Sequence, residues 1–134
     1  MITRGVHHLG LAVADLDAAI ATYTTLVGAS LEHRATVADQ GVEAASLLVA
    51  GSRIELLAPT EADTPVGRFL AKRGEGMHHV AYEVDDVAAA LAELAGAGAE
   101  LIDERPRQGL FGLQVAFVHP SAVHGVLTEV VSRG

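Results

Sequence analysis

Two histidines and two glutamates stand at matching positions in a sequence that repeats itself. At an offset of 71 residues, HHLGLAVADLDAAIA near the start aligns with HHVAYEVDDVAAALA in the second half. His8 then matches His79. With three further inserted residues, Glu55 matches Glu129. Two imidazoles and two carboxylates form an ordinary ligand set for a divalent first-row metal. The repeat therefore predicts that these four side chains converge on one cation.

Each of these residues taken singly has a simpler explanation. A strand histidine or glutamate is more often exposed or hydrogen-bonded within the protein than bound to a metal. Glu129 stands among valines and a leucine, however, and a buried carboxylate needs a compensating partner. The other histidines are assigned elsewhere: His7 and His78 to packing at strand ends, and His33, His119 and His124 to the surface or loops.

The elements that must position the four side chains follow the same order in both halves. Alternating apolar residues predict strands at 8–13 and 79–84. Asp15 and Asp86 follow these strands and can cap helices at 16–27 and 87–95. Further strands are predicted at 31–38, 42–49, 53–58, 100–104, 113–118 and 126–131, and a short helix at 66–73.

This order is βαβββ twice, which predicts an α+β fold in which two tandem modules form a curved mixed sheet around a metal-binding cleft. Module one spans about 5–58, a connection about 59–77, and module two about 78–132, within a single domain of residues 1–134.

Further polar residues could contact a substrate. Glu43 is the single carboxylate of strand 42–49, where parity places it with Ala45 and Leu47. A carboxylate in apolar surroundings can act as a general base, although an exposed glutamate at the strand edge is an equal alternative. Gln40 lies just upstream. A basic cluster, Arg68, Lys72 and Arg73, could hold phosphates or could simply be a solvated helix end.

Composition excludes several classes of protein. A formal net charge of −8 over 134 residues gives no electrostatic support for binding nucleic acid. The absence of cysteine excludes disulfides and zinc–thiolate sites. No apolar run approaches the roughly 20 residues that span a bilayer, and MITRGVHH lacks the apolar stretch of a secretory signal. We therefore expect a cytoplasmic protein with no membrane partner.

The paired modules with their two histidines and two glutamates resemble the vicinal oxygen chelate superfamily, which includes glyoxalase I, extradiol dioxygenases and antibiotic-resistance proteins. Longer segments are similar to the methylmalonyl-CoA epimerases within it. These segments are RIELLAPTEADTPVGRFLAKRGEGMHHVAYEVDDV, LIDERPRQG, VAFVHPS and GVLTEV. The likeness covers nearly the whole chain and is weakest at about 29–50.

The resemblance implies an isomerase that interconverts (R)- and (S)-methylmalonyl-CoA with a divalent metal, Co²⁺ first and Mn²⁺, Ni²⁺, Zn²⁺ or Mg²⁺ as alternatives. Its implied metal ligands are His8, Glu55, His79 and Glu129. Glutamine is frequent in the family at the position of Glu55. Glu129 and a glutamate on the strand of Glu43 would form the acid/base pair. The basic cluster would contact coenzyme A, and a homodimer is expected by analogy.

Two other functions stay open at this point. A glyoxalase I-like isomerase acting on a glutathione hemithioacetal would use the same ligand set. A metal-free antibiotic-binding module predicts missing ligands and aromatic-lined pockets, whereas this chain keeps the four ligands and has three Phe, two Tyr and no Trp. An extradiol dioxygenase is disfavoured because that class uses two histidines and one carboxylate.

Overall fold

The chain divides into two compact units. The computed structural model describes Met1 and residues 3–133. The N-terminal unit is His8–His78, and the C-terminal unit is His79–Gly134 together with Met1–His7. Both divisions fall between adjacent histidines.

The N-terminal unit contains a four-stranded sheet and two helices. In chain order its elements are β1 (Thr3–Ala12, of which the part from His8 belongs here), α1 (Leu16–Thr22), β2 (Ser30–Val37), β3 (Val42–Val49), β4 (Ser52–Pro59) and α2 (Pro65–Arg73). The strand order is β2-β3-β4-β1. β1 and β4 are parallel, and the other neighbours are antiparallel.

Helix α1 begins as the sequence predicts but ends differently. The Asp15 carboxylate accepts a hydrogen bond from the backbone N–H of Ala18 at 3.0 Å, which confirms the predicted cap. The expected helix over 16–27 is α-helical only to Thr22 and continues as one π-helical turn, Tyr23–Val27. Gly28 closes this turn with a φ of 76°, a left-handed conformation that glycine adopts without strain.

The apolar core of the N-terminal unit lies between α1 and one face of the sheet. Leu47 and Leu56 are fully buried there and pack with Leu16 of α1. We call this the helix face. Since side chains alternate along a strand, Glu55 and Ser46 project from the opposite face, together with His8. We call that side the histidine face.

The C-terminal unit repeats the arrangement. Its elements are β5 (Gly76–Val84, of which the part from His79 belongs here), α3 (Val87–Gly96), β6 (Arg107–Gln108), β7 (Gln114–Val118) and β8 (Thr128–Ser132). The order is β5-β8-β7-β6, with β5 and β8 parallel. Asp86 caps α3 by accepting from the N–H of Ala89 at 3.1 Å. The predicted βαβββ order is thus present in both halves.

The strand predicted at 100–104 is wrong. That segment makes only one isolated bridge, between Leu101 and Val118. The Asp103 carboxylate accepts the backbone N–H of Phe117 at 2.8 Å, so a side chain occupies a donor that a regular ladder would use. Pairing resumes only at Arg107, after Pro106, which has no N–H to donate.

The helix face of the C-terminal unit is packed by α3. Val87, Ala90 and Leu91 of this helix belong to one buried apolar cluster with Val130 of β8. His79 and Glu129 lie on the opposite face, the histidine face of this unit. Among the described residues, no helix combines the length and apolar character needed to cross a membrane.

Candidate metal centre

The N-terminal unit brings together one histidine and one carboxylate. Glu55 on β4 is in register with Gly10 on β1, so its side chain projects from the same face as that of His8. His8 Nδ1 lies 3.2 Å from Glu55 Oε2. The two residues are only 2% and 3% exposed. The duplicated sequence therefore produces a buried imidazole–carboxylate pair in this unit.

The C-terminal unit contains the matching pair. Glu129 on β8 is in register with Ala81 on β5, two residues after His79, which places the histidine and the glutamate on one face. His79 Nε2 lies 3.9 Å from Glu129 Oε1. The exposed fractions are 3% and 6%. Each half of the sequence thus supplies one nitrogen donor and one oxygen donor from equivalent strands.

The donor chemistry of both pairs fits a divalent metal. Neutral imidazole and carboxylate are common ligands of Co²⁺, Mn²⁺, Ni²⁺ and Zn²⁺. Burying a carboxylate is unfavourable unless a cation or hydrogen-bond donors compensate for the lost hydration. All four residues belong to groups of buried side chains whose ligand atoms are spaced closely enough to hold an ion. That the two pairs share a single cation stays a prediction.

A charged cluster that the sequence pattern does not reveal lies on the histidine face of the N-terminal unit. Arg53 is two residues before Glu55 on β4, and it donates to both carboxylate oxygens of Glu32, at 2.9 and 3.1 Å. The hydroxyl of Ser46 donates to the same carboxylate at 2.8 Å. Glu32 reaches this position because β2 contains one extra residue, an irregularity between Leu31 and His33.

The Glu32 cluster stabilises the ionised carboxylate. Hydrogen bonds from Arg53, with a further one from Ser46, lower the pKa of Glu32 from 4.5 to about 2, although burial acts in the opposite direction. A lowered folded-state pKa contributes stability that is complete above the unfolded pKa and is lost as the pH falls through the folded pKa. The cluster therefore stabilises the fold at neutral pH and loses this contribution between pH 4.5 and about 2.

Replacing Glu32 by Gln tests this contribution. We expect the variant to lose about 1–3 kcal/mol of unfolding free energy at pH 7, because it leaves a partly buried guanidinium without its carboxylate. The difference from wild type should shrink as the pH falls from 4.5 to about 2. Urea denaturation at several pH values measures it. Glu61→Gln, at an exposed position, is the control, and a gap that stays constant with pH would refute the linkage.

Comparison with known proteins identifies the family. Residues 7–117 match the model of the glyoxalase/bleomycin resistance protein/dioxygenase superfamily. The ethylmalonyl-CoA/methylmalonyl-CoA epimerase of Cereibacter sphaeroides is 37% identical over 132 residues, which cover 97% of this chain and 98% of that protein. The chain belongs to this superfamily.

Solved structures show which members of the superfamily the chain is similar to. A methylmalonyl-CoA epimerase in complex with methylmalonyl-CoA and NH4+ has a TM-score of 0.94 and 37% identity, and the match covers 98% of this chain and 95% of that one. A variant of the Streptomyces coelicolor methylmalonyl-CoA epimerase in complex with 2-nitronate-propionyl-CoA has a TM-score of 0.93 and 37% identity, covering 98% of each chain. The predicted superfamily fold and the resemblance to these epimerases are confirmed.

Glu43 does not lie on the histidine face with His8 and Glu55. Its prediction as a base beside them is therefore corrected. Glu43 on β3 is in register with Ala58 on β4, a residue of the core against α1. Its carboxylate accepts from Arg34 Nη2 at 3.1 Å, and Arg34 also pairs with Asp17 of α1. Parity correctly grouped Glu43 with Ala45, but that group forms the helix face, whereas His8 projects from the other side.

The candidate coenzyme A residues are grouped on one helix. Arg68, Lys72 and Arg73 are all exposed on α2. Arg68 Nη1 donates to Asp63 at 2.9 Å, and the Arg73 guanidinium lies 5.7 Å from the ring centroid of Phe69. Gln40, the other substrate candidate, ends a short 3-10 turn before β3 and is half-buried. Whether these side chains touch a substrate stays a prediction.

Proposed function

We propose that this chain catalyses the epimerisation of methylmalonyl-CoA, interconverting the (R) and (S) forms by removing and returning the proton at C2. The observation that carries the proposal is the pair of buried His–Glu couples at equivalent positions of a duplicated fold. The epimerases to which the chain is similar supply the substrate class. No observation favours the hemithioacetal isomerase or the antibiotic-binding module over this function.

The proposed ligands of a divalent cation are His8, Glu55, His79 and Glu129. When bound, such a cation supplies Lewis-acid stabilisation of the negative charge that develops on the thioester oxygen as C2 loses its proton. We propose Co²⁺ for this role, with Mn²⁺, Ni²⁺, Zn²⁺ and Mg²⁺ as the alternatives to compare. The support is the His–Glu pair of each unit and the family membership of the chain.

Glu129 is the proposed acid/base at C2. The proton at C2 lies between a thioester and a carboxylate, which makes it more acidic than an ordinary C–H, but it still needs a positioned base. Glu129 is nearly inaccessible to water, and the neighbouring His79 lies on the same face. We do not propose Glu43 as the acid/base for the opposite face of C2, because it lies on the helix face.

The remaining parts of the proposal concern partners. Arg68, Lys72 and Arg73 are exposed cations on an acidic protein and are proposed contacts of the coenzyme A phosphates. Gln40 is retained as a substrate contact. We further propose that the protein is a cytoplasmic homodimer, on analogy with the family.

The deciding experiment is incubation of the metal-loaded protein with methylmalonyl-CoA in D2O, with and without a chelator. We expect deuterium to enter C2, to stop entering when the metal is removed, and to resume when Co²⁺ is restored. Mass spectrometry of the recovered thioester measures the exchange. Ethylmalonyl-CoA in a parallel reaction defines the acyl range.

Two results would reject the proposal. One is a folded, metal-loaded protein that exchanges no deuterium. The other is conversion of a glutathione hemithioacetal at a higher kcat/KM than methylmalonyl-CoA, which would assign the glyoxalase I-like reaction. Full exchange in the presence of the chelator would reject the proposed metal dependence but not the proposed epimerase activity.

A further inference from the structure

A three-residue stack leads from the surface of the C-terminal unit to His79. The guanidinium of Arg107 lies 5.5 Å from the ring centroid of Phe117. The Phe117 ring in turn meets the His79 imidazole edge to face, with centroids 5.5 Å apart and an interplanar angle of 86°. Such aromatic and cation–π contacts have defined geometry, and they restrict the rotation of the rings involved.

Asp103 holds the outer part of the stack in place. One of its carboxylate oxygens accepts the backbone N–H of Phe117 at 2.8 Å and lies 3.3 Å from Arg107 Nε. The same carboxylate thus fixes the backbone of the phenylalanine and the side chain of the arginine above it. The hydrogen bond from the Phe117 N–H to Asp103 is also the one that replaces regular strand pairing at 100–104.

Phe117 is also the direct cross-strand neighbour of Glu129. β7 and β8 are antiparallel, and Phe117 and Glu129 are in register. Residues directly opposite in an antiparallel pair have side chains on the same face and in contact range. One aromatic ring therefore flanks both members of the His79–Glu129 pair.

We infer that Phe117, held by Arg107 and Asp103, is a positioning residue that fixes the orientation of the His79 imidazole for binding a divalent metal. This inference rests on the proposed function, in which His79 is a metal ligand. Ligating histidines are normally oriented by a group outside the metal's own ligand shell, and loss of that group weakens metal binding. Here the orienting contact is an aromatic ring.

The N-terminal unit supplies a matched control for this inference. Phe69 of α2 meets His78 edge to face at 5.0 Å, and Arg73 lies over the Phe69 ring. The two stacks have the same chemistry, but His78 is not a proposed ligand. Truncating Phe69 therefore removes an equivalent aromatic contact without touching the proposed centre.

The test compares Phe117→Leu with Phe69→Leu by calorimetric titration of the full chain with Co²⁺. We expect Phe117→Leu to weaken Co²⁺ binding by about three- to tenfold, the range of an aromatic pair contact, and Phe69→Leu to leave it unchanged. Phe117→Tyr keeps the ring and should restore most of the affinity. Arg107→Gln should weaken binding by about two- to fivefold. At saturating Co²⁺, Phe117→Leu should recover most of its kcat.

Metal-free NMR provides a readout that does not depend on activity. In wild type we expect a single His79 side-chain conformer with nuclear Overhauser contacts to the Phe117 ring, and in Phe117→Leu we expect averaging between conformers. Equal Co²⁺ affinity and an equally fixed His79 in Phe117→Leu would overturn the inference while leaving the proposed function intact. A wild type that binds no divalent metal would instead reject the metal centre itself.

Discussion

Replacing Glu129 by Gln is expected to slow deuterium incorporation at C2 of methylmalonyl-CoA by about 10²–10⁴-fold, the usual contribution of a positioned general acid or base. The substitution keeps the size of the side chain and a carbonyl oxygen that can still ligate a metal, but it removes the basic oxygen. Measured at saturating Co²⁺, the loss therefore reports proton transfer. Exchange rates from mass spectrometry give the value.

Two matched variants make this result specific. Glu55→Gln changes the equivalent residue of the other module, and we expect a loss of no more than about tenfold, because an amide oxygen remains a suitable ligand for a divalent metal. Glu43→Gln should exchange at nearly the wild-type rate, since that carboxylate pairs with Arg34 on the helix face. If Glu43→Gln loses as much activity as Glu129→Gln, the geometric argument against Glu43 fails.

The second large effect concerns adjacent histidines. His79→Leu is expected to lower the affinity for Co²⁺ by more than about 100-fold, because loss of a ligand should exceed the 10–100-fold typical of groups outside the ligand shell. His78→Leu should bind Co²⁺ like wild type, since His78 packs edge to face on Phe69. Calorimetric titration of both variants measures the difference.

The His78 variant also controls for damage to the fold. Burial lowers the pKa of His78, so its ring is favoured as the neutral form in the folded protein. An apolar replacement therefore removes no buried charge. If both variants lost Co²⁺ affinity equally, or if neither lost it, alternation along β5 would not determine which histidine binds the metal.

The duplicated sequence predicts much of this molecule because the repeated signals are local. Asp15 and Asp86 each precede a helix at the same offset, and both accept the N–H three residues ahead. Strand alternation likewise explains why His8 and Glu55 share a face. Such features depend on the period of side chains along the chain, which can be read from one sequence.

The placement of Glu43 shows what local signals cannot decide. Its alternation with Ala45 and Leu47 is correctly predicted, yet alternation does not say which face α1 covers. That information lies in long-range packing. Arg34 of β2 donates to Glu43 and also pairs with Asp17 of α1, and such contacts between separate elements cannot be read from the local pattern.

The false strand at 100–104 has a related cause. Its composition suits a strand, but the Asp103 side chain accepts the backbone N–H of Phe117, which a regular strand would use. The sequence alone does not distinguish Phe117 from an ordinary core residue, because it is a phenylalanine in an apolar strand. Only the register of β7 against β8 shows that it stands opposite Glu129.

The extra residue in β2 has a consequence for how this protein can vary in length. Surface loops normally tolerate small insertions and deletions, but β2 is a hydrogen-bonded edge strand. Here, deleting one residue near Glu32 would restore regular pairing with β3. The residues beyond the deletion would then shift by one position against β3 and project from the opposite face of the sheet. The carboxylate would then leave Arg53 on β4, the strand that carries Glu55. Natural and engineered variants should therefore keep the number of residues in β2 more strictly than the identity of those residues.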